Sequence, residues 1–329
     1  MEFFRNSNID WLGKKWIFLA FSVIFSVAGL VSIFAWHGIP RGVDFKGGTQ
    51  VTIEFASKPN EDHIRQALDA ARLKDYKLQS VAEVGQTDSK RVIISLPEVA
   101  DSKHDVARVQ VENALTSNYR DSGFSVQQID IVGPTAGKEL TRQAVLATVY
   151  SLIGMLIYLW FRFELIYGVA AVVAVFHDTL ITIGFFSITN QEITLTVVAA
   201  ILTLVGYSMN DTIVVFDRIR ENLASNRREK LADVVNRSIN QTLSRTVIAS
   251  GLTFLTVLCL YVFGGEVLHG FSFALVVGIL VGTYSSIAVA SPMLVAYQDW
   301  RSKHGKGTLP AARGGGSNKA TLPSARGKR

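Results

Sequence analysis

WIFLAFSVIFSVAGLVSIFAW, residues 16–36, runs for twenty-one positions without a charge. A helix rises 1.5 Å per residue, so a run of this length crosses a hydrocarbon layer about 30 Å thick. Five later stretches read the same way: 144–161, 165–188, 193–216, 246–263 and 271–297. Six spans explain a 329-residue composition that is 49% hydrophobic and only 18% charged, and they exclude a water-soluble globule. The first run is longer than a signal-peptide core, and no small-x-small cleavage pattern follows it, so it reads as a retained anchor.

Lys and Arg in the short connections set the orientation. The N-terminal 15 residues hold three, Arg162 follows the second span, the fourth connection holds seven, and the stretch after the last span holds eight. The short loops 189–192 and 264–270 hold none. This predicts both termini inside, and the net charge of +6 becomes a topology signal that needs no nucleic acid to explain it. Cys259 is the single cysteine, which excludes an intrachain disulfide and a cysteine metal site; within an apolar run it is expected to be a small buried hydrophobe.

Residues 37–141 form the one long external (periplasmic) block, with 13 Lys/Arg against 15 Asp/Glu. Residues 50–55 alternate, with Val51, Ile53 and Phe55 on one face, as a strand does. A helix follows, with Asn60 as cap, Glu61 and Asp62 complementing its dipole, and Ile64, Leu68 and Ala71 as the apolar stripe. Residues 77–84 and 91–96 read as strands around a turn at 85–89. A second helix opens on the Ser102-x-x-Asp105 box, with Val106, Val109 and Leu115 inward, and residues 125–132 form the last strand. The order βαββαβ predicts a ferredoxin-like α+β domain on a six-helix half bundle. His63 and His104 fall on its polar helix faces. Residues 217–245, with Leu231, Val234, Val235, Ser238, Ile239 and Thr242 at helical spacing, predict an amphipathic helix on the inner membrane surface. Residues 298–329 read as a basic, disordered tail.

Charges inside a span are costly and so are functional candidates. Asp178 is about 20 Å in from the inner face and Asp211 about 8 Å, a depth difference of about 12 Å that speaks against a shared-proton dyad. Arg245, opening span five, is the cationic candidate at the level of Asp211: a fixed ion pair, a contact that protonation breaks, or a side chain that snorkels to the headgroups. Ser208, Asn210 and His177 are supporting polar groups, with His177 and Asp178 read as a packing hydrogen-bond pair. Gly278 and Gly282 form a G-x-x-x-G suited to close helix contact. Nothing points to a metal, a cofactor or a catalytic residue; Ser208 lacks the G-x-S-x-G frame and a base.

The motifs VDFKGG (43–48), VGPTAGKEL (132–140), FHD (176–178) and GYSMNDTIVVFDRIRE (206–221), followed by QTLSRT (241–246), FGG (263–265) and GTYSS (282–286), resemble the SecF family. This is the smaller half of the SecD and SecF protein-export pair in the RND superfamily. The resemblance implies a non-enzymatic inner-membrane subunit that uses the proton-motive force in late polypeptide export. It implies SecD, the SecY, SecE and SecG channel, translocating polypeptide, protons and the lipid bilayer as partners. It also matches Asp211 and Arg245 to the family's intramembrane aspartate and arginine, and SecD supplies a further intramembrane aspartate. The alternatives are a stand-alone proton-coupled transporter of a small hydrophobic solute, a passive translocon scaffold, and an aspartyl protease, which would want GxGD where this chain has Ser208, Met209, Asn210 and Asp211.

Overall fold

The structure, a computed structural model, describes residues 7–73, 76–81, 90–96, 106–119, 123–163, 165–225 and 229–304. The turn at 85–89, the box at Ser102 and Asp105, His104, and the segments 1–6 and 305–329 lie outside the described residues. Helix α1 (Lys15–Val31) continues as a π-helical turn (Ser32–Trp36). The short α2 (Val43–Lys46) leads into β1 (Gly48–Phe55), α3 (Glu61–Ala70), β2 (Lys77–Val81), β3 (Arg91–Leu96), α4 (Val106–Asn118) and β4 (Phe124–Val132). Five long stretches follow: α5 (Pro134–Arg162), α6 (Leu165–Ile188), α7 (Leu195–Ser225), α8 (Leu231–Phe263), and α9 (Gly265–Ser285) continued through a π turn (Ser286–Ala290) into α10 (Ser291–Lys303). Among the described residues, six helical stretches are long and apolar enough to cross a membrane.

The four strands pair antiparallel in the order β2-β3-β1-β4, the ferredoxin-like arrangement. The alternation in β1 buries Val51, Ile53 and Phe55 beneath the two helices, as its period of two requires. The Asn60 side chain accepts from the amides of Asp62 and His63, satisfying two free donors at the start of α3. The inward stripe of α3 is Ile64, Ala67 and Leu68; Ala71 is exposed, because the helix stops at Ala70 and Arg72 takes φ +60°. In α4 the inward residues are Val111, Ala114 and Leu115, and Val109 is 47% exposed. With valines at 106, 109 and 111 the wheel has no single apolar phase, so packing on the sheet chooses it.

Helices α6, α7 and α9 fill the centre of the bundle, while α1 and α5 present most of their apolar surface outward. Glycines set the closest crossings. A Cβ on Gly184 would come within 2.7 Å of the Gly29 Cα, so α1 and α6 meet backbone to backbone. A Cβ on Gly278 would lie 2.3 Å from Leu204, and one on Gly282 3.1 Å from the Ser208 Cβ, which gives the G-x-x-x-G of α9 a defined partner on α7.

Two expectations are corrected. The amphipathic stretch 231–245 is the first half of α8, continuous with the spanning part. Its apolar face (Val235, Ile239, Leu243) shares one core cluster with Phe216 and Ile219 of an α7 that extends to Ser225, which buries that face more completely than a lipid surface would. Cys259 is exposed, on the outer side of α8.

The domain is tied to the bundle at more than its two chain connections. Pro40 O accepts from Ile193 N at 2.7 Å and Ile193 O from Gly42 N at 2.8 Å, and the Asp44 carboxylate accepts from Leu195 N, the first amide of α7, at 2.8 Å. Lys77 of β2 pairs with Glu192 of the α6–α7 loop at 3.2 Å. At the opposite end, Asn236 and Asn240 of α8, one turn apart, hold the backbone of residues 9–11 through both their amide groups.

Candidate functional site

Two carboxylates are buried where α6, α7, α8 and α9 converge. Asp211 on α7 is 8% exposed; Thr246 on α8 donates to its Oδ1 at 3.0 Å and Ser286 donates to its Oδ2 at 3.2 Å. Asp178 on α6 is 1% exposed; Ser208 on α7 and Ser285 on α9 both donate to its Oδ2, at 2.5 and 2.7 Å, and His177 Nδ1 lies 3.0 Å from its Oδ1. Hydroxyl donors of this kind satisfy the oxygens of an acid set in an apolar bundle.

Local structure positions each donor. The π turn (Ser286–Ala290) begins at the second of two consecutive serines, and the Ser291 hydroxyl closes it on the Ser286 carbonyl. π turns recur at functional sites because they re-aim side chains within a helix. Gly282 lets α9 approach until Ser285 reaches Asp178: a Cβ there would meet Ser208 at 3.1 Å and Asp178 Oδ2 at 3.6 Å.

The expected 12 Å depth gap between the acids is corrected by this geometry. Ser208, which bonds Asp178, stands only three residues before Asp211, so the acids occupy levels about one turn, roughly 5 Å, apart. Helix α7 continues past Phe216 to Ser225, which sets Asp211 deeper than a span ending at Phe216 would. Arg245 is exposed and forms no ion pair with Asp211, although its charge acts on that carboxyl from a distance. It directly precedes Thr246, and successive helical residues point about 100° apart, so with Thr246 turned to Asp211 the arginine faces outward. Asn210 is exposed on the outer side of α7, away from both acids. Ser208 is buried at the centre. Thr246, Ser285 and Ser286 are the site residues that sequence reasoning missed; the available signal was a pair of adjacent hydroxyls inside an apolar span. Among the described residues no group of three or more His, Cys, Asp or Glu side chains is placed to hold a metal ion.

Family models for the C-terminal region of "Protein export membrane protein SecD/SecF" and for the "SecD/SecF GG Motif" match residues 110–300 and 37–58. The chain belongs to the SecD/SecF family of protein export membrane proteins. It is 52% identical to the protein translocase subunit SecF of Koribacter versatilis, over 94% of this chain and 96% of that one. It is 42% identical to the subunit of the same name from Calditerrivibrio nitroreducens, over 92% and 99%. The crystal structure of SecDF, a translocon-associated membrane protein from Thermus thermophilus, superposes with a TM-score of 0.80 at 36% identity. That match covers 90% of this chain and 40% of the SecDF chain. The chain is a multi-pass membrane protein, and its function is that of a SecF-like subunit of the protein translocation machinery.

Proposed function

We propose that this subunit works with SecD in the inner membrane, beside the SecY, SecE and SecG channel, and uses the proton-motive force to drive late steps of polypeptide export without catalysing a covalent reaction. Asp211 is the proton-coupling group and Arg245 its alternating partner. The observation that carries the reading is the Asp211 carboxylate, buried between helices and held by hydroxyls from two of them with no cation in contact. Protonation weakens both hydroxyl contacts, and a rotation of α8 that replaces Thr246 by Arg245 gives the deprotonated acid an ionic partner instead. One charge crossing 100 mV is worth about 2.3 kcal/mol, which biases such an equilibrium roughly 50-fold.

The outer end of α7 is clamped to residues 40–44, immediately before β1, so movement of α7 is passed to the domain. An N-in, C-in orientation agrees with Arg162, Arg218, Arg220, Lys230 and Arg237 lying on the face opposite the domain. The exposed Asn210 and Arg245 point to a surface that the SecD bundle covers, where its intramembrane aspartate meets Arg245.

The test is Asp211→Asn, co-reconstituted with SecD and the channel in vesicles, with proton flux and completion of export measured at equal protein levels. Loss of both, with the channel's other activity retained, is expected. Unchanged flux and export would refute the reading and leave a passive scaffold; proton-driven uptake of a small solute without SecD would favour the stand-alone transporter.

A further inference from the structure

Asp178 is buried more deeply than Asp211, and the switch just described makes no use of it. Its donors come from three helices: His177 on α6, Ser208 on α7 and Ser285 on α9. Two of these lead directly to Asp211. Ser208 stands one turn before it on α7, and Ser285 is the chain neighbour of Ser286, which bonds it.

Each serine on the α9 side also has a second acceptor within reach: Gly282 O lies 3.3 Å from the Ser285 hydroxyl and Thr283 O 3.0 Å from that of Ser286. When its carboxylate takes a proton, each hydroxyl can turn its own hydrogen to the helix backbone and accept from the acid. Both acids can therefore change protonation without leaving a hydroxyl unsatisfied.

The titratable and charged groups around the pair are few. His177 of α6 meets Asp178, Arg245 of α8 stands near Asp211 without contact, and α7 and α9 contribute hydroxyls. The two carboxylates lie at levels about one turn apart, and the groups that bond one are chain neighbours of, or one turn from, the groups that belong to the other. His177 adds capacity: its Nδ1 meets Asp178, and its buried Nε2 has no hydrogen-bond partner.

We propose that Asp178, together with His177, is a second proton-binding site of the bundle, coupled to Asp211 through Ser208 and the Ser285–Ser286 pair. The proposal rests on Asp211 being the proton-coupling group. Each step is one H⁺ adding to, or leaving, a carboxylate oxygen or the imidazole, with no other bond made or broken. As Asp211 gives up its proton, the new negative charge favours retention of a proton at Asp178 and His177; as Asp211 is reloaded, that proton is released.

The experiment is proton flux against pH for the SecD-containing complex in proteoliposomes, comparing wild type, Asp178→Asn, Asp178→Glu and Asp211→Asn, with infrared pH titration of the wild type and the aspartate-to-asparagine variants. Asp178→Asn is expected to move the midpoint of flux to lower pH by about one unit, because no neighbouring charge then opposes ionisation of Asp211. Asp178→Glu is expected to restore the wild-type midpoint. The wild-type infrared titration should show two carboxylic-acid bands, one lost in each asparagine variant.

An unchanged midpoint in folded Asp178→Asn would overturn the proposal. So would a wild-type titration with a single carboxylic-acid band that Asp211→Asn removes, a result that needs no folded Asp178 variant. If Asp211→Asn itself leaves flux and midpoint untouched, the reading of Asp211 fails and this proposal fails with it.

Discussion

Replacing Asp44 by alanine should loosen the joint between α7 and the ferredoxin-like domain. The Asp44 carboxylate bonds the Leu195 amide at 2.8 Å, so it both satisfies a free donor and places negative charge at the positive end of a 31-residue helix. Losing a cap of this type costs about 1 kcal/mol, and losing the charge a further 0.3–1 kcal/mol or so. Since about 1.4 kcal/mol is a factor of ten, the detached population should rise roughly 10- to 30-fold. The two backbone bonds at Ile193 and the Lys77–Glu192 pair remain, so the joint weakens without being abolished. Asp44→Asn keeps an acceptor and loses only the charge, so its effect should be a few-fold. Amide hydrogen exchange over residues 193–198 in nanodiscs measures the opening, and export in vesicles measures the consequence. Exchange in Asp44→Ala equal to wild type would refute the capping argument. Faster exchange with undiminished export would refute the role of α7 as the transmitting element.

The glycine crossings predict a graded series: Gly184→Ala forces a Cβ to 2.7 Å from the Gly29 Cα, where only backbone can yield, and Gly278→Val drives into Leu204. Each should cost about 1–3 kcal/mol and lower the thermal midpoint of the purified protein, while Gly251→Ala, which meets nothing within 4 Å, should be neutral. The asparagine pair on α8 predicts that the double replacement Asn236→Ala with Asn240→Ala frees residues 7–11, read as faster cleavage near Ile9 by added protease; the single variants should lie between, at about 1 kcal/mol per lost bond.

Uninterrupted apolar length needs no tertiary context to be read, so the six spans were legible in residues 16–36 and their five successors. The alternation of Val51, Ile53 and Phe55 and the cap at Asn60 were legible for the same reason: each is a local rule about period or about a free amide. Asp178 and Asp211 stood out because charge inside hydrocarbon is costly wherever the helix lies.

What helices do to one another was decided only in three dimensions. Which of two adjacent residues, Arg245 or Thr246, faces Asp211 depends on the rotation of α8, and a 100° difference separates an ion pair from a hydroxyl contact. The level of Asp178 beside Asp211 depends on how far α7 runs beyond Phe216, and the aim of Ser285 and Ser286 depends on a π turn that composition does not announce. Val109 turned outward because a short helix with a weak stripe takes its phase from the sheet it covers, and Ala71 because α3 stops one residue before it. The sequence by itself determined which segments enter the membrane and which acids are stranded there, since transfer free energy adds along the chain. Only the tertiary structure decided which groups meet those acids, since that follows from the rotation, register and close approach of helices far apart in sequence.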